Sequence, residues 1–342
     1  MTTANDLDNL DNELEFDDLE QAEFAKAGET INRTHSVTDS EIGIRLDKLC
    51  ADVFDGFSRV QLQAWIESGD LTVNGTVQKC KYRVKSGDVL ALTATLEAHG
   101  EDLPENIPLD VVYQDADVLV INKPAGLVVH PGAGNRTGTL VNALLYHYPD
   151  QAHLPRAGLV HRIDKDTTGL LVVARTKSAQ LNLMAQLKDK TVYRLYQCIA
   201  WGVPSDILRH STIDLPIARH SSKRTKMAVR DSGKPAVTHI VKATALGEYY
   251  SLLDVRLETG RTHQIRVHLS HLGFALLGDK VYGGAVRGSL SMDTRQLLQS
   301  FPRQALHAHT LGFTHPTSGQ AVEFYAPLPD DMLAIIDALA GS

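Results

Sequence analysis

The chain has 342 residues, 43% apolar and 22% charged, with a formal net charge of −7, a composition that suits a soluble globular protein long enough for two domains. No apolar run reaches the roughly 18 residues of a membrane span, and the N-terminus lacks the basic flank and apolar core of a secretory signal, so a cytoplasmic protein without membrane partners is expected. Cys50, Cys80 and Cys198 are odd in number and far apart, which speaks for reduced thiols and against a disulfide frame or a zinc site.

The charge is uneven. Residues 1–41 hold twelve Asp and Glu against Lys26 and Arg33, leaving 32 basic and 29 acidic residues elsewhere. Residues 1–40 therefore read as an acidic disordered tail, either a solubilising segment or an RNA mimic that shields a basic groove. From Ile44 the pattern changes. Arg45-Leu46-Asp47-Lys48-Leu49 opens a helix carrying Leu46, Leu49, Val53 and Phe54. Ser58, with Gln61 three residues on, reads as the cap of a second helix with Leu62, Trp65 and Ile66 as its buried stripe and Gly69 as its stop. Leu71 to Gly75 reads as a strand and an Asn-Gly turn. Lys79, Lys81, Arg83 and Lys85 fall at alternate positions, so an extended segment would present all four on one face of a basic hairpin. Each alone is a solvated surface charge; together they form the footprint of phosphate binding. This pattern, over about residues 43–95, resembles the S4 RNA-binding module, which implies RNA contacts for Arg45, Lys79, Lys81, Arg83 and Lys85.

Residues 99–108 form a polar, proline-containing linker. Strands and helices then alternate irregularly over 109–338. Val118–Ile121 is a buried strand, Leu140–Leu145 starts a helix, and Ser178–Lys188 is a helix with Leu181, Leu183, Met184 and Leu187 inside. Tyr193–Trp201 and Tyr249–Leu257 read as strands. In residues 158–173 two apolar runs flank a polar knot of Arg162, Asp164, Lys165, Asp166, Thr167 and Thr168. If both runs are strands, the knot sits at a strand end, held by a rigid frame. Gly260 to His268 supplies a cationic partner for one of its carboxylates.

Asp164-Lys165-Asp166-Thr167-Thr168 also matches the Asp-x-Asp-x-Thr nucleophile motif of haloacid-dehalogenase phosphatases, but there the motif directly follows a clean apolar strand near the start of its domain; here His161-Arg162 precede it in mid-domain. His263 and His268 are five apart with no Glu where a zincin needs it, so His161, His263 and His268 read as hydrogen-bonding residues and no metal site is assigned.

The wider run, His161-Arg162-Ile163-Asp164-x-x-Thr167-Thr168-Gly169-Leu170, resembles the signature of the RluA-type pseudouridine synthases. Gly260 to Arg266, Tyr196 before Gly202, Asn122-Lys123-Pro124, Gly278 to Gly284 and Gln304 to Ala308 are similar to further motifs of that family. His130 to Asn135 and Ser222 to Val229 favour its subgroup acting on large-subunit ribosomal RNA. The resemblance covers about residues 43–335; Ile163 and Thr168 replace the commoner Leu and Ser, and the long acidic tail is not part of the pattern. It implies an α+β fold with a central mixed, largely antiparallel sheet behind the S4-like module. It also implies isomerisation of uridine without a cofactor, in 23S ribosomal RNA (the helix 69 loop) or pre-50S particles, by a monomer that contributes to large-subunit maturation. Asp164 is the implied catalytic carboxylate, as nucleophile at C1′ or base at C2′; Arg266 is its cation and Tyr196 the ring that meets the uracil. Arg162 is implied to replace the flipped nucleotide, with Arg219, Lys223 and Arg224 on phosphates. The alternatives are the same chemistry on another RNA such as tRNA, and a non-catalytic RNA-binding protein; intact Asp164, Tyr196 and Arg266 argue against the second.

Overall fold

The computed structural model describes residues 30–54, 57, 59–95, 103–131, 135, 137–223 and 226–340. They fall into two compact units, residues 30–95 and 103–340.

The first unit holds β1 (Thr30–Ser36), α1 (Leu46–Val53), α2 (Arg59–Ser68), β2 (Leu71–Val73) and β3 (Val89–Thr95). The strands form an antiparallel sheet in the order β1-β3-β2. Leu46, Leu49, Phe54, Leu62 and Ile66 from the helical part share one buried cluster with Leu71, Leu90 and Leu92. Burial of that stripe, more than helix propensity, holds such short helices. Gly69, at φ +92°, ends α2 as expected. Asn74 and Gly75 both take positive φ, 51° and 74°, the geometry a two-residue type I′ turn requires. Ser58, the expected cap of α2, lies outside the described residues.

Two expectations for this region are corrected. The span assigned to a disordered tail includes β1, which pairs with β3 along its whole length, from Thr30 opposite Thr95 to Ser36 opposite Val89. Residues 30–38 carry no acidic side chain, and Ile31 and Val37 are buried, so the segment can pair and pack without placing a carboxylate in the core. The basic segment, in turn, is not a strand. It turns at Lys79–Tyr82 (N–O 2.8 Å) and bonds to the start of α1 through Leu46 N–Tyr82 O, 2.7 Å, and Asp47 N–Cys80 O, 3.1 Å. Its alternation survives for another reason: Cys80, Tyr82 and Val84 pack inward, and Lys79, Lys81, Arg83 and Lys85 are exposed between them.

The second unit runs β4 (Val111–Gln114), β5 (Val118–Lys123), α3 (Leu140–His147), β6 (Thr168–Ala174), α4 (Lys177–Lys188), β7 (Tyr193–Trp201), α5 (Pro204–Ile207), β8 (Thr212–Asp214), β9 (Ile217–Arg219), β10 (Met227–Val229), β11 (Val237–Leu246), β12 (Tyr250–Leu257), α6 (Gln264–His271), α7 (Met292–Ser300), β13 (Leu306–Thr314), β14 (Ala321–Tyr325) and α8 (Asp330–Ala340). Nine strands make one sheet, in the order β4-β5-β6-β13-β7-β12-β11-β8 with β14 on β13; β9 and β10 form a separate hairpin. Within the large sheet β6 and β13 run parallel and the other pairs antiparallel. The expected mixed, largely antiparallel α+β architecture is therefore the one observed. Every residue of β6 is buried, as a central strand covered on both faces should be. Gly169 makes the β6–β13 approach possible: a Cβ there would lie 2.2 Å from the Ala308 carbonyl oxygen.

Two details differ from the sequence reading. Leu181 is exposed on α4, while Leu183 is fully buried. The polar knot precedes a strand rather than ending one. Arg156, Ala157 and Gly158 all take positive φ, so the chain turns there, and Leu159 makes only an isolated bridge to Val173.

Candidate active site

The turn that carries Asp164 lies just before β6 and is held by its main chain. Thr167 N donates to the Asp164 carbonyl at 3.0 Å, and Gly126 N donates to the Lys165 carbonyl at 3.0 Å. Lys123, fully buried at the end of β5, donates through Nζ to the carbonyls of Pro124, Leu127 and Lys165 at 2.7, 2.9 and 2.8 Å. Burial pushes this lysine down to about 7, but three acceptors match the three hydrogens of the ammonium form. From the other side Arg303 donates to the Asp166 carbonyl (3.3 Å) and Gln304 to Thr167 Oγ1 (3.2 Å). Arg303 is itself anchored by Asp331 through two bonds of 2.8 Å.

Arg266 reaches this turn from α6. The entry to α6 is bent by His263, a left-handed residue at φ 57°, and tied by Gln264. The Gln264 Oε1 accepts from Arg261 N and Thr259 Oγ1, and its Nε2 donates to Val237 O and Thr238 Oγ1. Arg266 Nη1 donates to Asp164 Oδ2 at 2.8 Å. Its Nε and Nη2 form a fork on Asp279, at 2.8 and 3.0 Å. Asp279 is fixed in turn by the main-chain N–H groups of Val281 and Tyr282, and the Tyr282 ring lies 5.1 Å from the guanidinium. Charge-assisted, bidentate contacts of this kind fix orientation as well as energy.

Burial pushes the Asp164 carboxyl up. The charges of His263, Arg266 and Arg162 and the Arg266 hydrogen bond outweigh it and hold the group at about 2. His263 is itself pushed down to about 4, chiefly by burial. At neutral pH its imidazole is therefore uncharged, and Arg266 carries the stabilisation.

Tyr196 sits on β7, opposite Val255 of β12 and Ala308 of β13. Its side chain is buried, and burial raises its phenol above the usual range. Asp164, Arg162, Tyr196, Arg194, Gly260 and Arg266 line one cavity of about 60 Å³. A larger cavity of about 260 Å³, lined by Trp201, Tyr250 and Arg287, meets the site only at Asp279. The three residues picked as catalytic from sequence are thus brought together with Arg162.

The other cations lie elsewhere. Arg219 and Lys223 are exposed at the β9–β10 hairpin; Arg224 lies outside the described residues. Arg45 is half-exposed and forms a two-bond pair with the buried Asp47 at 3.0 Å. Arg83 donates to the Gly43 carbonyl at 2.7 Å. These two have structural partners, whatever else they meet. Sequence reasoning gave no role to Asp279, Tyr282, Arg194 or Lys123. Asp279 and Tyr282 stand in the Gly278 to Gly284 run, so a motif marked them, but only folding shows that they grip Arg266. Among the described residues, the acidic and histidine side chains that approach one another as metal ligands would are Asp115, Asp117 and His315. His161, His263 and His268 are not among them.

Comparisons with known proteins agree with this geometry. Residues 117–271 match the family model described as RNA pseudouridylate synthase, and residues 44–90 match the S4 domain. The chain is 50% identical over 309 residues to the ribosomal large subunit pseudouridine synthase D of Vibrio parahaemolyticus, covering 90% of this chain and 94% of that one. It is 51% identical over 299 residues to the protein of the same name from Pseudomonas aeruginosa, covering 87% and 92%. Among solved structures, human RNA pseudouridylate synthase domain containing 4 aligns with a TM-score of 0.51 at 27% identity, over 67% of this chain and 92% of that one. With the α+β sheet, the S4 domain and these relatives in view, the chain belongs to the RNA pseudouridylate synthase family and is an isomerase that converts uridine to pseudouridine in RNA.

Proposed function

We propose that this isomerase acts on uridines of large-subunit ribosomal RNA, in the helix 69 loop, and so contributes to maturation of that subunit. The names of its relatives support the ribosomal target. The observation that carries the mechanism is the array Asp164–Arg266–Asp279, of which Asp164 and Arg266 line the cavity that also holds Tyr196.

The reaction breaks the C1′–N1 bond, turns the base, and joins C1′ to C5. Asp164 is the group that engages the ribose, because it is ionised, held by its main chain, and open to the cavity. Whether it attacks C1′ or removes the C2′ proton, the bonding pair of C1′–N1 leaves with the base. After the new C–C bond forms, C5 gives up its proton and N1 gains one, so the net change is an isomerisation. Arg266 keeps Asp164 ionised in a dry pocket where an unpaired carboxylate would be costly. Tyr196 offers its ring face to the uracil. Arg162, at the same cavity, fills the place of the flipped nucleotide. Exposed Lys79, Lys81, Arg83 and Lys85, with Arg45 beside them, Arg219 and Lys223 of the hairpin, and Arg224 contact phosphates.

The test is pseudouridine mapping of ribosomal and transfer RNA from a deletion strain complemented with the wild-type gene or with Asp164→Asn. Wild type should restore pseudouridine in large-subunit RNA and Asp164→Asn should restore none, although RNA binding stays near normal. Asp166→Asn should restore most of it. Sites that return only in tRNA would move the target; a lethal Asp166 change would move the catalytic carboxylate.

A further inference from the structure

Arg194 is a buried cation for which no described residue supplies an anion. It sits two residues before Tyr196 on β7, hence on the same face of the strand, and lines the same cavity as Asp164. It is 7% exposed. Its Nη2 donates to the Glu258 carbonyl at 3.0 Å, whereas its buried Nε has no hydrogen-bond partner. No carboxylate among the described residues pairs with it. Arg266, equally buried, has two. Gly260 leaves the room that the guanidinium occupies: a Cβ there would stand 2.9 Å from Arg194 Nη1. A buried charge without a counter-charge is strongly disfavoured and, when it persists, marks a place where something is meant to bind. Burial accordingly pulls the Arg194 guanidinium below its ordinary range.

We propose that Arg194 binds the anionic uracil released when the C1′–N1 bond breaks. The inference rests on the reading of Asp164 given above. When that bond breaks, its electron pair stays on the base and spreads from N1 onto O2 and O4. The base must hold this charge while it turns, out of reach of water. A fixed donor aimed at developing oxyanion charge is the usual device for such a step. Arg194 approaches the cavity from the strand that also carries Tyr196, so one strand supplies both the face and the charge that the detached base meets. Arg266 is committed to two carboxylates and is not available for this task. Attack of C5 on C1′ consumes the charge, and once the C5 proton has left and N1 has gained one the product base is neutral, so the interaction weakens, which favours release.

The experiment compares wild type, Arg194→Met and Arg194→Lys under single-turnover conditions on two 23S ribosomal RNA transcripts. One carries uridine and the other 5-fluorouridine at the position wild type modifies. Consumption of the target nucleoside is followed by mass spectrometry of nuclease digests, with RNA affinity and thermal unfolding measured alongside. Fluorine stabilises the departing anion, so it should replace part of what Arg194 provides. The Met variant should lose about 10²–10³-fold in rate with uridine, in line with removal of one oxyanion donor, and about tenfold less than that with 5-fluorouridine. RNA affinity should stay within about threefold, since the charge exists only after bond breaking. The Lys variant should lie between the two. A Met variant with wild-type rate overturns the proposal. So does an equal loss on both transcripts with weakened binding, which would place a phosphate at Arg194 instead of the base. If the Met variant does not fold, the Lys variant decides by the same comparison: an equal loss on both transcripts overturns the proposal, and a smaller loss on fluorouridine supports it. Wild type inactive on the uridine transcript sinks the ribosomal reading and this inference together, whereas the outcomes above, with wild type active, sink the inference alone.

Discussion

Arg266 is gripped by Asp279 before it serves Asp164: two parallel bonds of 2.8 and 3.0 Å bind it to the first and a single bond of 2.8 Å to the second. The fork leaves one guanidinium arm free to point at the Asp164 turn and fixes its direction. Asp279→Asn keeps the shape but removes the charge and one acceptor. Its expected effect is a loss of about 10²-fold in single-turnover rate, the scale of a misplaced catalytic group, with RNA affinity unchanged. Asp279→Ala should in addition lower folding stability by about 3–5 kcal/mol, because it leaves a buried guanidinium half-paired. Denaturant unfolding of both variants separates the two effects.

Removing the cation should reveal what it does to Asp164. In wild type the carboxyl is held at about 2, so its ionisation should not limit the rate between pH 5 and 8. In Arg266→Met burial acts with less opposition and the carboxyl moves up. The rate should then fall at neutral pH and rise with increasing pH, as more of the carboxylate form appears. Arg266→Lys should show a smaller version, since the charge remains and the planar fork is lost. The sign for stability follows: a depressed carboxyl stabilises the fold above its ordinary range and loses that contribution as pH falls through about 2. A pH–rate profile of the three proteins checks the first claim. A Met variant dead at every pH would show that Arg266 does more than tune Asp164.

Replacing Lys79, Lys81, Arg83 and Lys85 together should flatten the salt dependence of RNA binding. Each lost phosphate contact lowers the logarithmic slope by about 0.7–0.9. Filter binding across a salt series measures it, and an unchanged slope would remove this segment from the RNA interface.

The strand β1 offers a stability test. Ile31 is 7% exposed while Asn32 beside it faces outward. Ile31→Ala should destabilise the S4 unit by about 2 kcal/mol or more, and Asn32→Ala should fall within about 0.5 kcal/mol of wild type. Hydrogen exchange of the β3 amides reads the difference locally.

That Asp164, Tyr196 and Arg266 share one cavity was legible in the sequence because each stands in a short run that resembles a motif of one family. The long strands β7 and β12 were legible because their apolar alternation matches the pleat. The rest depends on contacts that no local pattern announces. Asp279 lies 13 residues past Arg266 in a loop, and nothing in its neighbours says that it folds back. β1 was hidden because twelve acidic residues dominate the composition of the segment that includes it, although its own residues carry none. Lys79 to Lys85 alternated correctly for the wrong structure: an irregular segment anchored by Cys80, Tyr82 and Val84 shows the same period as a strand. Gly158 begins an apolar run that reads as strand, but three successive positive φ angles precede Leu159, and a backbone turn of that kind leaves no hydrophobic signature.

The place of β13 makes the large sheet depend on contacts between distant parts of the chain. β13 lies between β6 and β7 in the sheet, yet it is made more than a hundred residues after either. In the strand order β13 alone joins β4, β5 and β6, the last of which follows the Asp164 turn, to β7, which carries Tyr196. The residues up to Leu306 include Asp164, Tyr196 and Arg266 but not the strand that joins the two parts of the sheet. Pairing that joins strands so distant in sequence carries a high loop-closure cost and is slow.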